Sequence, residues 1–431
     1  MDKKRIFVTF LIVLTNTIGA TAILPMLPIY VERQFHATPI QAMLVIAAFY
    51  AAQFLAAPWL GRLSDGFGRR RLLIISQIGT IVSYLLFIFA APLGEAIGFA
   101  MGMSGGLIMI YVARLLDGVT GGNVSVAEAY VSDISDDKSR AHALGLIGGA
   151  NGLGHILGPA LAIALSGIHL IAPMVGALVM SGVTLLLTIL FLNETLTRKN
   201  QLKERQTESE ISVMRLPANR SVTLILAMAL VISLYIATVF SSFSIYAERV
   251  LFTDQPAETV VQKVNLIIMM LGVAASVFQI FLIAPLVRWL GEQVLVVVGS
   301  VLLLVSAIGI SSGSLLLVLA SILAYALGFA MSWPSLQAIM TRFSSKETVG
   351  TQLGLIQSAF SLAFILAPLA AGLILQMIGP YAVFYNGALL MGVATFLGVI
   401  ILRLRLPGRD THQIKDDAPA ESGSLLQRLH H

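Results

Sequence analysis

Twelve apolar runs, each about twenty residues or longer and separated by short polar connections, leave this 431-residue chain few folds. A run of that length spans the hydrocarbon core of a bilayer as a helix, with its backbone hydrogen bonds closed inside the segment. Only 11% of the residues are charged and 57% are hydrophobic, whereas a soluble domain carries about 25% charged residues. The chain therefore reads as an all-α integral membrane protein, not as a string of soluble domains.

The first run follows Lys3, Lys4 and Arg5 and continues for about 24 residues through Pro25 and Pro28. It lacks a small-x-small cleavage site, so it reads as an uncleaved first helix. Further helices are predicted at about 39–60, 72–92, 140–166, 170–192, 221–247, 262–286, 293–311, 315–341, 350–377 and 380–404, with a fourth containing 114–133 after a connection at 94–105. The only long polar stretch between apolar runs is Glu194 to Arg220. It divides the chain into an N-terminal six-helix half (1–193), a linker (194–220), a C-terminal six-helix half (221–405) and a polar tail (406–431) expected to be disordered. Two such halves are the expected parallel repeat, although the sequence echo between them is faint.

The charge distribution orients the chain. With a cytoplasmic N-terminus, all the Lys and Arg except Arg33, Arg114, Arg249 and Lys263 fall in cytoplasmic segments. That is the positive-inside pattern, and it accounts for the net charge of +5 without nucleic acid as a partner. Both termini are expected in the cytoplasm of a cell whose cytoplasmic membrane holds the protein. The absence of Cys excludes disulfides and thiol chemistry.

Within the fourth run, ARLLDGVTGGNVSVAEAYVSD puts ionisable groups where a bilayer resists them. At 100° per residue, Arg114, Asp117, Gly121, Ser125, Glu128 and Ser132 share a stripe roughly 80° wide. Each buried charge costs at least about 2.5 kcal/mol, so an intramembrane ionisable residue is a functional-site hypothesis by default. Asp117 with Arg114 beside it forms a two-state switch, because protonating the acid removes its attraction to the guanidinium. Glu128 reads as a cytoplasmic gate in preference to a proton relay. No helix of the second half has an acid in its core; its polar groups are neutral. Asn16, Tyr235, Gln279, Trp333 and Gln357 are the candidates for lining a central substrate cavity, which would suit amphipathic organic molecules.

Between the second and third helices lies GRLSDGFGRRRLL, residues 61 to 73. Gly61, Leu63, Asp65, Gly68, Arg69 and Arg70 match G-x-L-x-D-x-x-G-R-R/K, the signature loop of the major facilitator superfamily, and the chain resembles that family from about residue 5 to 405. The resemblance implies the twelve-helix facilitator fold, and a latch in which Asp65 caps the start of the eleventh helix while Arg69 pairs with Asp133. Arg114-x-x-x-Gly118 resembles the fourth-helix motif of proton-coupled members, in which the Arg is assigned to proton coupling. Gly154, Gly158 and Pro159 match the antiporter motif G-x-x-x-G-P-x-x-G-G of the fifth helix, with Ala162 and Ile163 replacing the final glycines. Three small-xxx-small pairs on that helix (145/149, 148/152, 154/158) are expected to admit a neighbouring backbone. His155 within the motif reads as a packing histidine in preference to a titrating one.

Within the family, the resemblance is greatest to the twelve-helix drug:proton antiporters of the tetracycline-exporter-like branch. That branch commonly has an acid in helix one where this chain has Asn16, so coupling falls on Asp117, Glu128 or His155. The implied function is proton-coupled export of small amphipathic organic compounds by a monomer without cofactor or metal. The alternatives are an importer or uniporter of a metabolite or lipid on the same fold, and more remotely a membrane receptor or an enzyme. A G-x-S-x-G match at Gly102, Ser104 and Gly106 lacks the strand, turn and helix of a hydrolase elbow, and no Walker motif points to ATP.

Overall fold

The computed structural model describes residues 3–100, 102–121, 123–195, 220–343 and 349–404. Among these, twelve helices are long and apolar enough to cross a membrane: Lys4–Ile23, Pro39–Leu60, Arg69–Ile88, Gly105–Asp133, His142–Ser166, Ala172–Phe191, Arg220–Leu251, Ala257–Phe281, Glu292–Ile310, Leu315–Arg342, Gln352–Met377 and Pro380–Leu402. They are called the first to twelfth spans below. The protein is a multi-pass membrane protein. The linker from 196 to 219 and the tail from 405 lie outside the described residues.

Several span ends differ from the sequence expectation, each for a local reason. The first span stops at Ile23, and a second short helix, Leu27–Phe35, begins with Pro28 in its first turn, where the missing N–H costs nothing. The eighth span runs earlier than predicted, to Phe281, and is followed by a separate helix, Ile283–Leu290. The seventh ends in a π-helical turn, Ala247–Leu251. Ser104, the residue of the hydrolase-like match, caps the fourth span by accepting a bond from the Leu107 N–H at 3.4 Å.

The packing reveals the repeat that the sequence barely carries. In the first half the first span packs on the fifth and sixth, the third on the fourth and sixth, and the second on the fourth. In the second half the seventh packs on the eleventh and twelfth, the ninth on the tenth and twelfth, and the eighth on the tenth. Each pairing has its counterpart six spans later, as a parallel repeat requires. The halves meet through the second span against the eleventh and the fifth against the eighth.

Contacts between the halves are recorded from mid-span to the end opposite the termini. Ile40 and Met43 lie against Gly372, Tyr50 against Phe364, the Gln262 amide bonds the Ile163 carbonyl at 3.2 Å, and Gly272 lies near the His155 carbonyl. Towards the terminus-bearing end, Cβ atoms built at Gly145, Gly148, Gly149, Gly152 and Gly354 meet nothing within 4 Å. Among the described residues, the contacts that join the halves therefore lie from mid-span to the end opposite the termini. Of the three small-xxx-small pairs, only Gly154 and Gly158 are pressed on a neighbour, the first span at Thr17 and Thr21. The Thr21 hydroxyl donates to the Gly154 carbonyl at 3.0 Å across that contact. The other two pairs face open space, because a fifth span turned towards the first with these glycines turns the rest of its small residues away.

Candidate functional site

Helical spacing brings Arg114 and Asp117 together, one turn apart on the fourth span, and the Arg114 Nη1 donates to Asp117 Oδ2 at 3.4 Å. Both are buried, at 3% and 6% exposure, which excludes a solvated surface pair. Two rings hold the guanidinium, Phe49 of the second span and Phe87 of the third, with centroids at 5.3 and 5.0 Å. Such cation–π contacts contribute about 2 kcal/mol when desolvated. The Arg114 Nε and Nη2 have no acceptor, so the group keeps donors to spare. The Tyr50 and Tyr84 phenols and the Thr80 hydroxyl complete the polar surroundings of the pair.

The fourth span reaches this depth because glycine permits close contact. A Cβ at Gly118 would lie 2.4 Å from the Phe49 carbonyl oxygen, so the second and fourth spans touch through backbone. The span is not one continuous helix, however. Its first segment, Gly105–Thr120, ends at Gly121, and a second, Asn123–Asp133, follows. The stripe expected from Arg114 to Ser132 is therefore interrupted at Gly121, a residue type of low helix propensity. Glu128 belongs to the second segment and is exposed. The His155 ring is also exposed, its Nδ1 2.9 Å from the Asn151 carbonyl of its own helix, and no contact to Asp117 is recorded.

The candidate cavity residues separate into three environments. Tyr235 is fully buried inside the second half, hydrogen bonded to Ser306 at 2.7 Å. Asn16 lines a polar cleft inside the first half together with Ile12, Thr15, Gln77, Thr80, Ser181 and Thr184. Gln279 and Gln357 are exposed. Trp333 is half-buried and opens a row of rings: Phe329 at 6.4 Å, Phe360 at 5.3 Å, then Phe364 at 4.8 Å from Phe360 and Tyr50 at 4.6 Å from Phe364. Phe240 joins at 6.5 Å from Phe364. The row crosses from the tenth span to the second and ends on the ring beside Arg114. Sequence reasoning found only Trp333 of it. The signal was present in the i, i+4 spacing of Phe329 with Trp333 and of Phe360 with Phe364, which stacks rings on one helix face.

At the terminus-bearing end, Arg69 Nε donates to Asp133 Oδ2 at 3.2 Å, the pair that the loop motif implied, and Arg69 Nη1 donates to Ser64 Oγ at 2.5 Å. Arg70 reaches the Ile189 carbonyl on the sixth span at 2.8 Å. Gly68 opens the third span at a φ of 110°, a conformation that L side chains avoid. The surroundings of Gly61, Arg62 and Asp65, and residues 344–348 before the eleventh span, lie outside the described residues, and with them the Asp65 side of the latch. The second half repeats the arrangement with its charges inverted. Gly291, at φ 79°, opens the ninth span, and Glu292 after it accepts a bond from the Arg342 Nη2 at 2.6 Å on the tenth.

The far end carries four residues that sequence reasoning passed over as outer-side charge. Glu32 and Arg33 follow the first span, and Glu248 and Arg249 sit in the π-helical turn of the seventh. The same Glu-Arg dipeptide occurs at equivalent places in the two halves and pairs reciprocally. Arg33 Nε donates to Glu248 Oε1 at 2.6 Å, and Arg249 Nη2 donates to Glu32 Oε2 at 2.9 Å. Arg33 also reaches the Gln255 carbonyl at 3.3 Å.

Two repeated six-span halves, joined by ion pairs at one end and holding a buried Arg–Asp pair and a row of rings, define a helical membrane transport protein. The comparisons specify the class. Residues 9–316 and 255–429 match the Major Facilitator Superfamily, and the chain belongs to that family. Relatives include the class H tetracycline resistance protein of Pasteurella multocida, 27% identical over 93% of this chain and 95% of that protein. The class B protein of Escherichia coli is 28% identical over 92% and 94%, and multidrug resistance protein 2 of Bacillus subtilis is 25% identical over 90% and 92%. Among solved structures, a D-xylose-proton symporter aligns with a TM-score of 0.71 at 16% identity, covering 94% of this chain and 98% of that one. The human organic anion transporter MFSD10 aligns with a TM-score of 0.63 at 22% identity, covering 92% and 99%. These two likenesses establish the fold alone.

Proposed function

We propose that this chain is a proton-coupled secondary transporter that exports small amphipathic organic compounds across the cytoplasmic membrane by alternating access. The observation that carries the reading is the buried Arg114–Asp117 pair placed at the end of a ring-lined surface shared by both halves. Relatives named for tetracycline and multidrug resistance support the same substrate class. Both termini face the cytoplasm, residues 1–193 and 221–405 rock as units, 194–220 links them, 406–431 is a tail, and one chain suffices.

Asp117 takes the proton in this scheme. Ionised, it is held by Arg114; protonated, it releases the guanidinium and lowers the cost of turning the site to the other face. One proton moving down about 150 mV supplies roughly 3.5 kcal/mol, enough to sustain a solute gradient on the order of 300-fold. Rings from Trp333 to Tyr50 hold the apolar body of a substrate, and the spare Arg114 donors hold a polar group. Glu128, exposed on the second segment of the fourth span, serves gating in preference to the proton step, and His155 is a packing histidine hydrogen bonded within its own helix. Asp65, Arg69, Arg70 and Asp133, with Gly61 and Gly68, form the cytoplasmic latch.

Purified protein in proteoliposomes with an imposed pH gradient tests the reading, with ethidium and tetracycline as probes. Wild type moves a probe against its gradient only while the pH gradient lasts. Asp117→Asn loses uphill movement but keeps downhill exchange. Uphill transport by the Asn variant at the wild-type rate refutes the assignment. Movement of probe and proton in the same direction establishes an importer instead.

A further inference from the structure

The two halves carry opposite charge at equivalent places of the terminus-bearing end. Gly68 and Gly291 open the third and ninth spans at positive φ, and the residues that follow them are Arg69 and Glu292. Each pairs with the charge that ends the next span, Asp133 for Arg69 and Arg342 for Glu292. Three residues before each glycine stand Asp65 and Arg288. Counted from Pro159 and Pro368, the prolines inside the fifth and eleventh spans, Asp137 and Lys138 correspond to Lys346 and Glu347. At every one of these positions the sign is reversed.

Helical register shows which of these charges lie level across the halves. The second and eleventh spans run antiparallel, with Met43 against Gly372 and Tyr50 against Phe364. Fifteen residues beyond Tyr50 is Asp65, and fifteen before Phe364 is Val349, the first residue of the eleventh helix. With an equal rise of about 1.5 Å per residue on both helices, the two positions are level. The fifth and eighth spans also run antiparallel, with Gln262 against Ile163 and Gly272 against His155. Sixteen residues beyond Gly272 is Arg288, and sixteen before His155 is Ser139, in the first turn of the helix that Asp136 caps and Asp137 begins. An acid suits the positive N-terminal end of a helix by itself. An arginine brought to such an end is repelled unless acids stand there, and the fifth helix starts with two. Among the described residues, Arg288 and Asp136 are exposed, and neither side chain has a hydrogen bond or ion pair.

We propose that Arg288 and the acids that start the fifth span, Asp136 and Asp137, form a clasp in the state that closes the terminus-bearing end. It rests on the reading of the chain as an alternating-access transporter. The clasp is the counterpart of the Glu32 and Arg33 pairs at the far end, so one set of ion pairs breaks as the other forms. Arg288 is a positioning residue, since it sets the balance of states and touches no substrate. The reversed sign is what makes it work: an acid at 288, as at 65, would face two like charges.

The chain has no Cys, so labels at Asn193→Cys and Arg403→Cys, on the exposed ends of the sixth and twelfth spans, report the width of this end. Full-length protein in liposomes is followed by pulsed dipolar distances at a series of pH values. Wild type is expected to show a short and a long distance. Arg288→Gln lowers the short-distance population about threefold, as an exposed ion pair warrants, and Arg288→Lys retains it. Asp136→Asn with Asp137→Asn, which leaves a good helix cap, has the same effect, and adding Arg288→Gln to it changes nothing further. Additive losses, or an unchanged ratio in Arg288→Gln, overturn the clasp and leave alternating access standing. A single distance in wild type at every pH overturns alternating access and the clasp with it.

Discussion

The guanidinium of Arg114 illustrates how one residue can satisfy the bilayer without full hydrogen bonding. It has one bond to Asp117 and two aromatic faces, Phe49 and Phe87, at 5.3 and 5.0 Å. A planar cation stacks on both rings, whereas the compact, strongly hydrated ammonium of lysine does not. Arg114→Lys, which keeps the charge, is therefore expected to lower uphill transport in proteoliposomes by about tenfold or more. Phe87→Leu is expected to cost about 1–2 kcal/mol of stability, read as a lower melting temperature in detergent, with Arg114 still in place. If Arg114→Lys transports like wild type, the stacking has no functional weight.

At the scale of helices, the fifth span contains its own control experiment. A Cβ at Gly158 would lie 2.0 Å from the Thr21 Oγ1 and 2.8 Å from the Ile18 carbonyl, while one at Gly148 meets nothing. Gly158→Ala should destabilise by roughly 1–3 kcal/mol through overpacking, and Gly148→Ala should be neutral or stabilise by up to about 1 kcal/mol through helix propensity. Equal melting temperatures for the two would show that the first and fifth spans are not in contact there. The contrast also shows what the sequence could and could not disclose. Span positions were legible because hydropathy and length suffice for them, and Arg114 with Asp117, or Arg69 with Asp133, because a motif or one helical turn fixed the partner. Which of several glycines faces a neighbour depends on the rotation of the whole helix, so Gly148 and Gly158 look alike on paper. The break at Gly121 escaped notice because an angular stripe presumes an unbroken helix. The ring row from Trp333 to Tyr50 draws on four spans, and no local pattern joins them.

For the whole molecule, the reciprocal pairs of Glu32 with Arg249 and Arg33 with Glu248 join the halves at the end opposite the termini. Closure at that end therefore depends on charge that desolvates when the halves meet. Burial pushes the Glu32 carboxyl above the ordinary carboxylate range; Arg249 pulls it down and Glu248 pushes it up. Its Oε1 is buried without a partner. In an open state the same carboxyl is hydrated and ordinary, so the closed state binds the proton more tightly and acid favours closure. That gain is complete below the ordinary carboxylate value and is lost as pH rises through the raised one. In its ionised form Glu32 is made tolerable by Arg249, and the two partners are not equivalent. Arg249→Ala leaves a buried carboxylate alone and should shift the population towards the open far end roughly fivefold, about 1 kcal/mol after allowance for its partial exposure. Glu32→Gln removes the charge to be desolvated, so it should leave closure unchanged or enhanced and abolish its acid dependence. The chain has no Cys, so labels at His36→Cys and Asp254→Cys report this end alone, and pulsed dipolar distance distributions recorded across the acid range read the populations. If Glu32→Gln opens the far end as much as Arg249→Ala, attraction outweighs desolvation and the clasp is a conventional pair of salt bridges.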